Sequence, residues 1–235
     1  MAPFPIHRVT RLDLRVTSWH WPFAEMRRGE IDTHFASLQR ETPQLWNGRV
    51  LLGREPRFTE DAFCADYFET DFASFLAWRD WGFPDAAVFN GFGMGALRSR
   101  DGAYALGEMA AHTANAGKVY FPAGTPDLND IRDGRVDIAS SVIREVEEET
   151  GLTEADYQVA GYWDCVVAGP LIALMRGLQS DLGGEALRQR IEMNLAEQAT
   201  AELAAIHLMR HRGDITAAVP PYMAAFLAAR LPDAV

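Results

Sequence analysis

Cysteine is scarce in these 235 residues, positive charge is in deficit, and no hydrophobic run is long enough to cross a bilayer. The two cysteines, Cys64 and Cys165, lie far apart with no CxxC or Cys/His cluster. That spacing argues against a disulfide framework or a zinc site and leaves both as reduced, buried small residues. Lys and Arg number 22 against 33 Asp and Glu, a formal charge of −11. A general nucleic-acid or anionic-membrane surface needs a basic footprint, so neither partner is expected. The longest apolar stretch, residues 166–175, is broken by Gly169 and Pro170 and falls far short of a membrane span. Residues 1–16 carry no long apolar segment of the secretory type, and the expected location is cytoplasmic. What the chain does have is 48% hydrophobic residues, enough for a sizeable core.

The most informative stretch is DIASSVIREVEEETGL, residues 137–152. Ala139, Val142, Ile143 and Val146 recur at helical spacing, Asp137 is a natural N-cap and Gly151 a natural stop. At about 100° per residue, Glu145, Glu148 and Glu149 share one arc beside the apolar one, while Glu147 points elsewhere. Like charges at these spacings repel. A run of glutamates is ordinarily solvated surface, yet three carboxylates on one arc also suit a hard divalent cation such as Mg²⁺ or Mn²⁺. Such ions neutralise a diphosphate and activate water against it. Arg144, one turn before Glu148, is placed to orient a carboxylate.

Residues 144–152, REVEEETGL, match every specified position of the RE-U-x-EE-x-G-U core of the Nudix hydrolases, where U is a bulky aliphatic residue. The chain therefore resembles that family. The upstream half departs from it. VYFPAG, residues 119–124, is similar to the family's strand and glycine turn with Ala123 replacing the first glycine, and the loop from Gly124 to Arg144 is six residues longer than the family's. The family's glutamate eight residues before the arginine is replaced by Val136, and Asp137 is the nearest stand-in. The extra loop, TPDLNDIRDGRVD, reads as polar and irregular, either plain surface or part of a pocket mouth.

Elsewhere, residues 11–19 alternate as a strand, and a helix is expected from Pro22 through Gln39, bent or split at Gly29. Two meander strands follow around Asn47-Gly48, then a short aromatic helix whose Trp78 and Trp81 are core anchors or, alternatively, base-stacking platforms. Residues 87–112 read as two strands joined at Arg100-Asp101-Gly102. The glycines of GFGMG permit close strand packing rather than a phosphate loop. His112, Thr113 and Asn115 occupy a polar loop and are either pocket lining or ordinary loop residues. Beyond residue 152 come two paired strands, a helix, a strand and a closing helix.

Strands alternating with a few helices imply an α+β domain. The resemblance narrows this to a Nudix α/β/α sandwich with a mixed sheet over residues 85–235, preceded by an N-terminal α/β extension over residues 1–84. The extension is weakly similar in layout to the UDP-sugar pyrophosphatase branch. The resemblance implies that Glu145, Glu148 and Glu149, with the Ala123 carbonyl, hold Mg²⁺ or Mn²⁺. It implies a catalytic set of Glu145, Arg144 and a downstream carboxylate, for which Glu202 and Glu197 are the candidates; Gly124, His112 and Asn115 are the candidate substrate contacts. The expected activity is hydrolysis of a phosphoanhydride in a nucleoside diphosphate linked to another group, a nucleotide sugar being one candidate. The alternative is a nucleotide-sensing module. The expected partner is a small-molecule nucleotide, with a homodimer left open.

If the glutamates serve ligation rather than solubility, Glu148→Gln lowers hydrolytic activity by at least about a hundredfold, while Glu147→Gln changes it little. Steady-state rates of the two variants decide the point; equal effects would return the run to plain surface.

Overall fold

A computed structural model describes residues 4–43, 45–113 and 115–234. Its elements run β1 (Ile6–Val9), β2 (Arg11–Val16), α1 (Pro22–Met26), α2 (Arg28–Glu41), β3 (Arg49–Phe58), β4 (Ala62–Asp71), α3 (Phe72–Asp80), β5 (Val88–Arg98), β6 (Tyr104–Met109), β7 (Val119–Tyr120), β8 (Ala123–Gly124), β9 (Ile131–Arg132), β10 (Arg135–Val136), α4 (Ile138–Thr150), β11 (Tyr157–Ala168), β12 (Leu171–Ser180), α5 (Gly184–Glu197), β13 (Leu203–Met209) and α6 (Pro221–Ala228). The expected α+β class is the class observed, with one mixed sheet in the order β1-β11-β12-β5-β3-β4-β2-β10-β9 and β6, β7, β8 and β13 branching from β5 and β6.

Strand β5 is the axis. Val88 and Phe89 pair with β3, residues 90–98 run parallel to β12, and Gly93 and Met94 also pair with β8. Every residue of β5 except Arg98 is buried, as expected of a strand covered on both faces. Its side chains alternate. Gly93 and Gly95 face α4, where an added Cβ at Gly93 would come within 2.5 Å of Val142 and one at Gly95 would strike Val146. Phe92 faces the other way, edge-on to Tyr222 of α6. Of the glycines of GFGMG, Gly93 and Gly95 thus admit a helix at close range, while Gly91 makes room for Tyr67 of the strand β4.

Helix α4 starts at Asp137, whose carboxylate accepts from the Ser140 backbone N–H, and stops at Gly151 in the left-handed conformation, φ 69°. Its buried face is Ile138, Ser141, Val142, Val146, Glu149 and Thr150; Ala139 is exposed. The wheel expected from the sequence is therefore rotated. At about 100° per residue Glu149 falls between Ile138 and Val142, inside the face that packs on the sheet.

The N-terminal segment forms its own aromatic cluster, with Trp21, Ile31, Phe35, Leu52, Phe68 and Trp78 buried between α1–α3 and β3/β4. The expected helix from Pro22 is split, at Arg27 rather than Gly29. Trp78 is wholly buried and donates its indole N–H to the Asp85 carbonyl, and Trp81 stacks under Arg27, so both are packing residues. Strand pairing crosses residue 84 three times, through β1 with β11, β2 with β10 and β3 with β5.

The polar loop after Gly124 is more ordered than expected. Asp127 and Asp130 form a reciprocal cap on a single turn of 3-10 helix. Then Asp133 and Gly134, both with positive φ, turn β9 into β10, the conformation of a I′ hairpin. β10 adds to β2, where Arg135 pairs with Asp13.

Gly95→Val should loosen the α4–β5 contact and cost about 1–3 kcal/mol of stability, the usual range for overpacking. Gly161→Ala, where an added Cβ meets nothing within 4 Å, should be close to neutral. Denaturant midpoints of the two variants are the measurement.

Candidate active site

The α4–β5 contact sets where the carboxylates go. Residues 145 and 149 lie beyond the glycine pair and meet β8 instead. Glu149 is 6% exposed and accepts a hydrogen bond from the Ala123 N–H at 3.3 Å. Glu145 lies against Gly124, where an added Cβ would fall 2.5 Å from its Oε1. Gly124, expected as a substrate contact, makes room for the Glu145 carboxylate. Glu148 is 63% exposed. The three glutamates thus run from buried to solvated along one helical turn.

Arg144 is held by two acids. Its Nη1 donates to Asp130 at 2.7 Å and its Nη2 to Glu145 at 3.2 Å, with Glu148 at 4.0 Å. Asp130 has a side chain only 1% exposed, and its second oxygen accepts from the Asp127 N–H. Asp137, the expected stand-in for the missing upstream glutamate, is occupied as the α4 cap; the acid that meets the arginine is Asp130. A signal for it lay in the sequence, since Asp-x-x-Asp is a reciprocal-cap spacing.

Burial pushes the Glu149 carboxyl up to about 8, and the nearby charges of Glu145, Glu202 and Glu148 push the same way against the Ala123 N–H. Burial also raises Glu145, opposed by Arg144. A desolvated carboxylate facing others is a strong local demand for positive charge. Arg144 answers it at Glu145 and, at 4.0 Å, at Glu148. The donor chemistry, hard carboxylate oxygens with excess negative charge, fits a divalent cation. Among the described residues, no three His, Cys, Asp or Glu side chains converge into a ready-made cation site.

Glu149 lies at the wall of a cavity of about 630 Å³. One side is built by Tyr120, Ala123, Glu149, Glu202 and the loop residues His112, Thr113 and Asn115. Asn115 donates to the Tyr120 hydroxyl at 3.1 Å. The other side comes from the N-terminal extension, with Leu38, Glu41 and Leu45 around α2 and Phe72, Leu76 and Arg79 of α3. Trp46, 80% exposed, stands on that wall. Of the expected residues, the cavity gathers Glu149, Glu202, Ala123, His112 and Asn115, and its lining omits Glu145, Glu148, Arg144 and Gly124. Glu197, at the exposed end of α5, is also outside. Of the two readings left open for the loop after Gly124, part of a pocket mouth is not what the lining shows: none of its residues lines the cavity, and it acts through Asp130 on Arg144. Trp46 and Arg79 had no signature in the sequence, because only the folded chain brings them to the cavity that Glu149 lines.

By sequence, no family profile and no curated protein matches the chain. Among solved structures it is similar to a Nudix hydrolase from M. smegmatis, RenU, at 16% identity over 59% of this chain and 83% of that one, with a TM-score of 0.39. It is similar to the MutT protein from Methanosarcina mazei Go1 at 19% identity over 60% and 91%, TM-score 0.39. It is also similar to the E. coli ORF135 protein at 18% identity over 60% and 92%, TM-score 0.34. No helix among the described residues is long and apolar enough to cross a membrane.

Because Glu149 binds its proton more tightly folded than unfolded, stability should fall as pH rises from the ordinary glutamate value, about 4.3, toward about 8. In chelator, Glu149→Gln should therefore melt higher than the parent at pH 8.5, with the gap closing near pH 4. Parallel melting curves for the two proteins across that range would contradict the assignment.

Proposed function

We propose that this chain is a divalent-cation-dependent, Nudix-type hydrolase that splits the phosphoanhydride of a nucleoside diphosphate joined to another group. The observation that carries the reading is the buried Glu149 carboxylate, raised by burial and by its acidic neighbours, at the wall of a cavity of about 630 Å³. That volume suits a small-molecule ligand. Glu145, Glu148 and Glu149, with the Ala123 carbonyl, would hold Mg²⁺ or Mn²⁺. The cation, when bound, supplies neutralisation of phosphate charge and a lower pKa for bound water.

The chain's own residues do the rest. Asp130 fixes Arg144, and Arg144 fixes Glu145, so this carboxylate keeps one orientation while the phosphates enter. Glu202, on the cavity rim, or Glu145 takes the proton from the attacking water. Water adds to one phosphorus, the bridging P–O bond breaks, and two phosphate monoesters leave. Arg79 offers a cation at the opposite wall, and Trp46 a flat apolar face for a base. The extra wall supplied by α2 and α3 supports a bulky substrate, and a nucleotide sugar is the substrate we propose.

One observation favours the alternative of a nucleotide-sensing module: the carboxylates are not gathered into a ready-made cation site among the described residues. Turnover separates the two readings.

With Mg²⁺ or Mn²⁺ present, a nucleoside diphosphate sugar such as UDP-glucose should give sugar 1-phosphate and nucleoside monophosphate faster than any nucleoside triphosphate is cleaved. Trp46→Ala should raise KM about tenfold, in line with the loss of one stacked base, and leave kcat less affected. Preference for a triphosphate would remove the nucleotide-sugar assignment, and nucleotide binding without turnover would favour the sensor.

A further inference from the structure

A second cavity, of about 290 Å³, opens on the other face of the sheet. Ala96 and Arg98 of its lining alternate away from α4. Ala96 and Arg98 come from β5, Met175 and Gly177 from β12, Asp164 from β11 and Arg8 from β1, and the pairings Arg8 with Asp164, Asp164 with Met175 and Gly177 with Ala96 keep them in one register. Phe226 and Arg230, from α6 and the residues just after it, complete the wall.

Its electrostatics are the reverse of those around Glu149. Three guanidinium groups, Arg8, Arg98 and Arg230, share the cavity with a single carboxylate, Asp164. Asp164 is 4% exposed and binds Arg8 through both oxygens, at 3.0 and 3.1 Å, and Arg230 at 2.7 Å. One carboxylate thus faces two arginines, and Arg98 adds a third cation with no acid opposite it in the cavity. The excess of two positive charges stands out in a chain of net charge −11. The arginines are also held in place: Arg8 lies 4.0 Å over the Tyr162 ring, Arg230 5.4 Å from the Phe226 ring, and Arg98 5.5 Å from the Tyr104 ring. Arginines fixed in this way lose little further freedom when an anion arrives, and the planar guanidinium matches phosphate oxygens in pairs.

We infer that this cavity is a binding site for a phosphoryl anion, separate from the carboxylate cavity on the α4 face. The ion pairs to Asp164 serve to set the two guanidinium groups at a fixed spacing, and Arg98 adds a further positive charge that no carboxylate of the lining matches. The inference rests on this cavity alone and does not depend on the proposed hydrolysis.

The test is calorimetric titration of the full chain at low ionic strength in chelator, with inorganic phosphate in one arm and a hexose 6-phosphate in the other, against sodium chloride of equal ionic strength. Saturable binding of one anion per chain is expected in at least one arm. Arg98→Ala, which leaves the Asp164 ion pairs intact, and Arg230→Ala should each weaken it about tenfold or more, the effect of losing one charge-assisted contact. Glu149→Gln should leave it unchanged. Tighter binding of the sugar phosphate would assign the apolar wall to an organic body, and equal binding would assign the site to the phosphoryl group alone; both support the inference. No saturable binding in either arm, or affinity that both arginine variants leave untouched while they remain folded, would overturn it and reduce the arginines to a structural ion-pair cluster.

Discussion

The close contact of α4 with β5 is the constraint from which the rest of the molecule follows. Ile138, Val142 and Val146 lie on Gly93 and Gly95 with no room for a Cβ between them. Side chains one turn apart on the helix thereby match alternate residues on the strand. This fixes the helix in rotation as well as in distance. Glu149 has no choice but to point at β8, where the Ala123 N–H meets it, and Glu145 can follow only because residue 124 is glycine. The burial that raises the Glu149 pKa is thus a result of apolar packing two turns away.

Much of this was legible in the sequence because it is local. Caps at Asp137 and Gly151, the strand turn at Arg100-Asp101-Gly102 and the order of elements after residue 152 all depend on short-range chemistry, and all are found where expected; Asn47-Gly48, expected as a strand turn, lies instead between α2 and β3, and β3 turns into β4 at residues 59–61. The rotation of α4 was not legible, since Ala139 and Glu149 compete for the same face and only the glycines of another element decide between them. The role of Asp130 was hidden for a similar reason. It is an ordinary acid in a polar loop until the hairpin at Asp133-Gly134 folds back and buries it against Arg144. Strand β1, too short to show alternation, is defined wholly by its partner β11.

The two faces of the sheet carry opposite charge for a simple reason. On a strand buried on both sides, neighbouring residues serve different layers. β5 sends glycine toward the acidic helix and Arg98 toward the other side. Charge is separated across one thickness of sheet, so an anion that would be repelled by Glu145, Glu148 and Glu149 meets arginine on the opposite surface.

Strand β5 also belongs to two ladders at once, joined to β3 at its start and to β12 along its length. The extension and the remainder of the chain therefore have no free hinge between them. The gap between Glu149 on one wall and α3 on the other is spanned by continuous hydrogen-bonded backbone, which is stiff along its length. Leu45 and Trp46, between α2 and β3, border the opening outside any ladder. A rigid gap of this kind selects by fixed width, as a caliper does, and the ligand adjusts to the protein rather than the reverse.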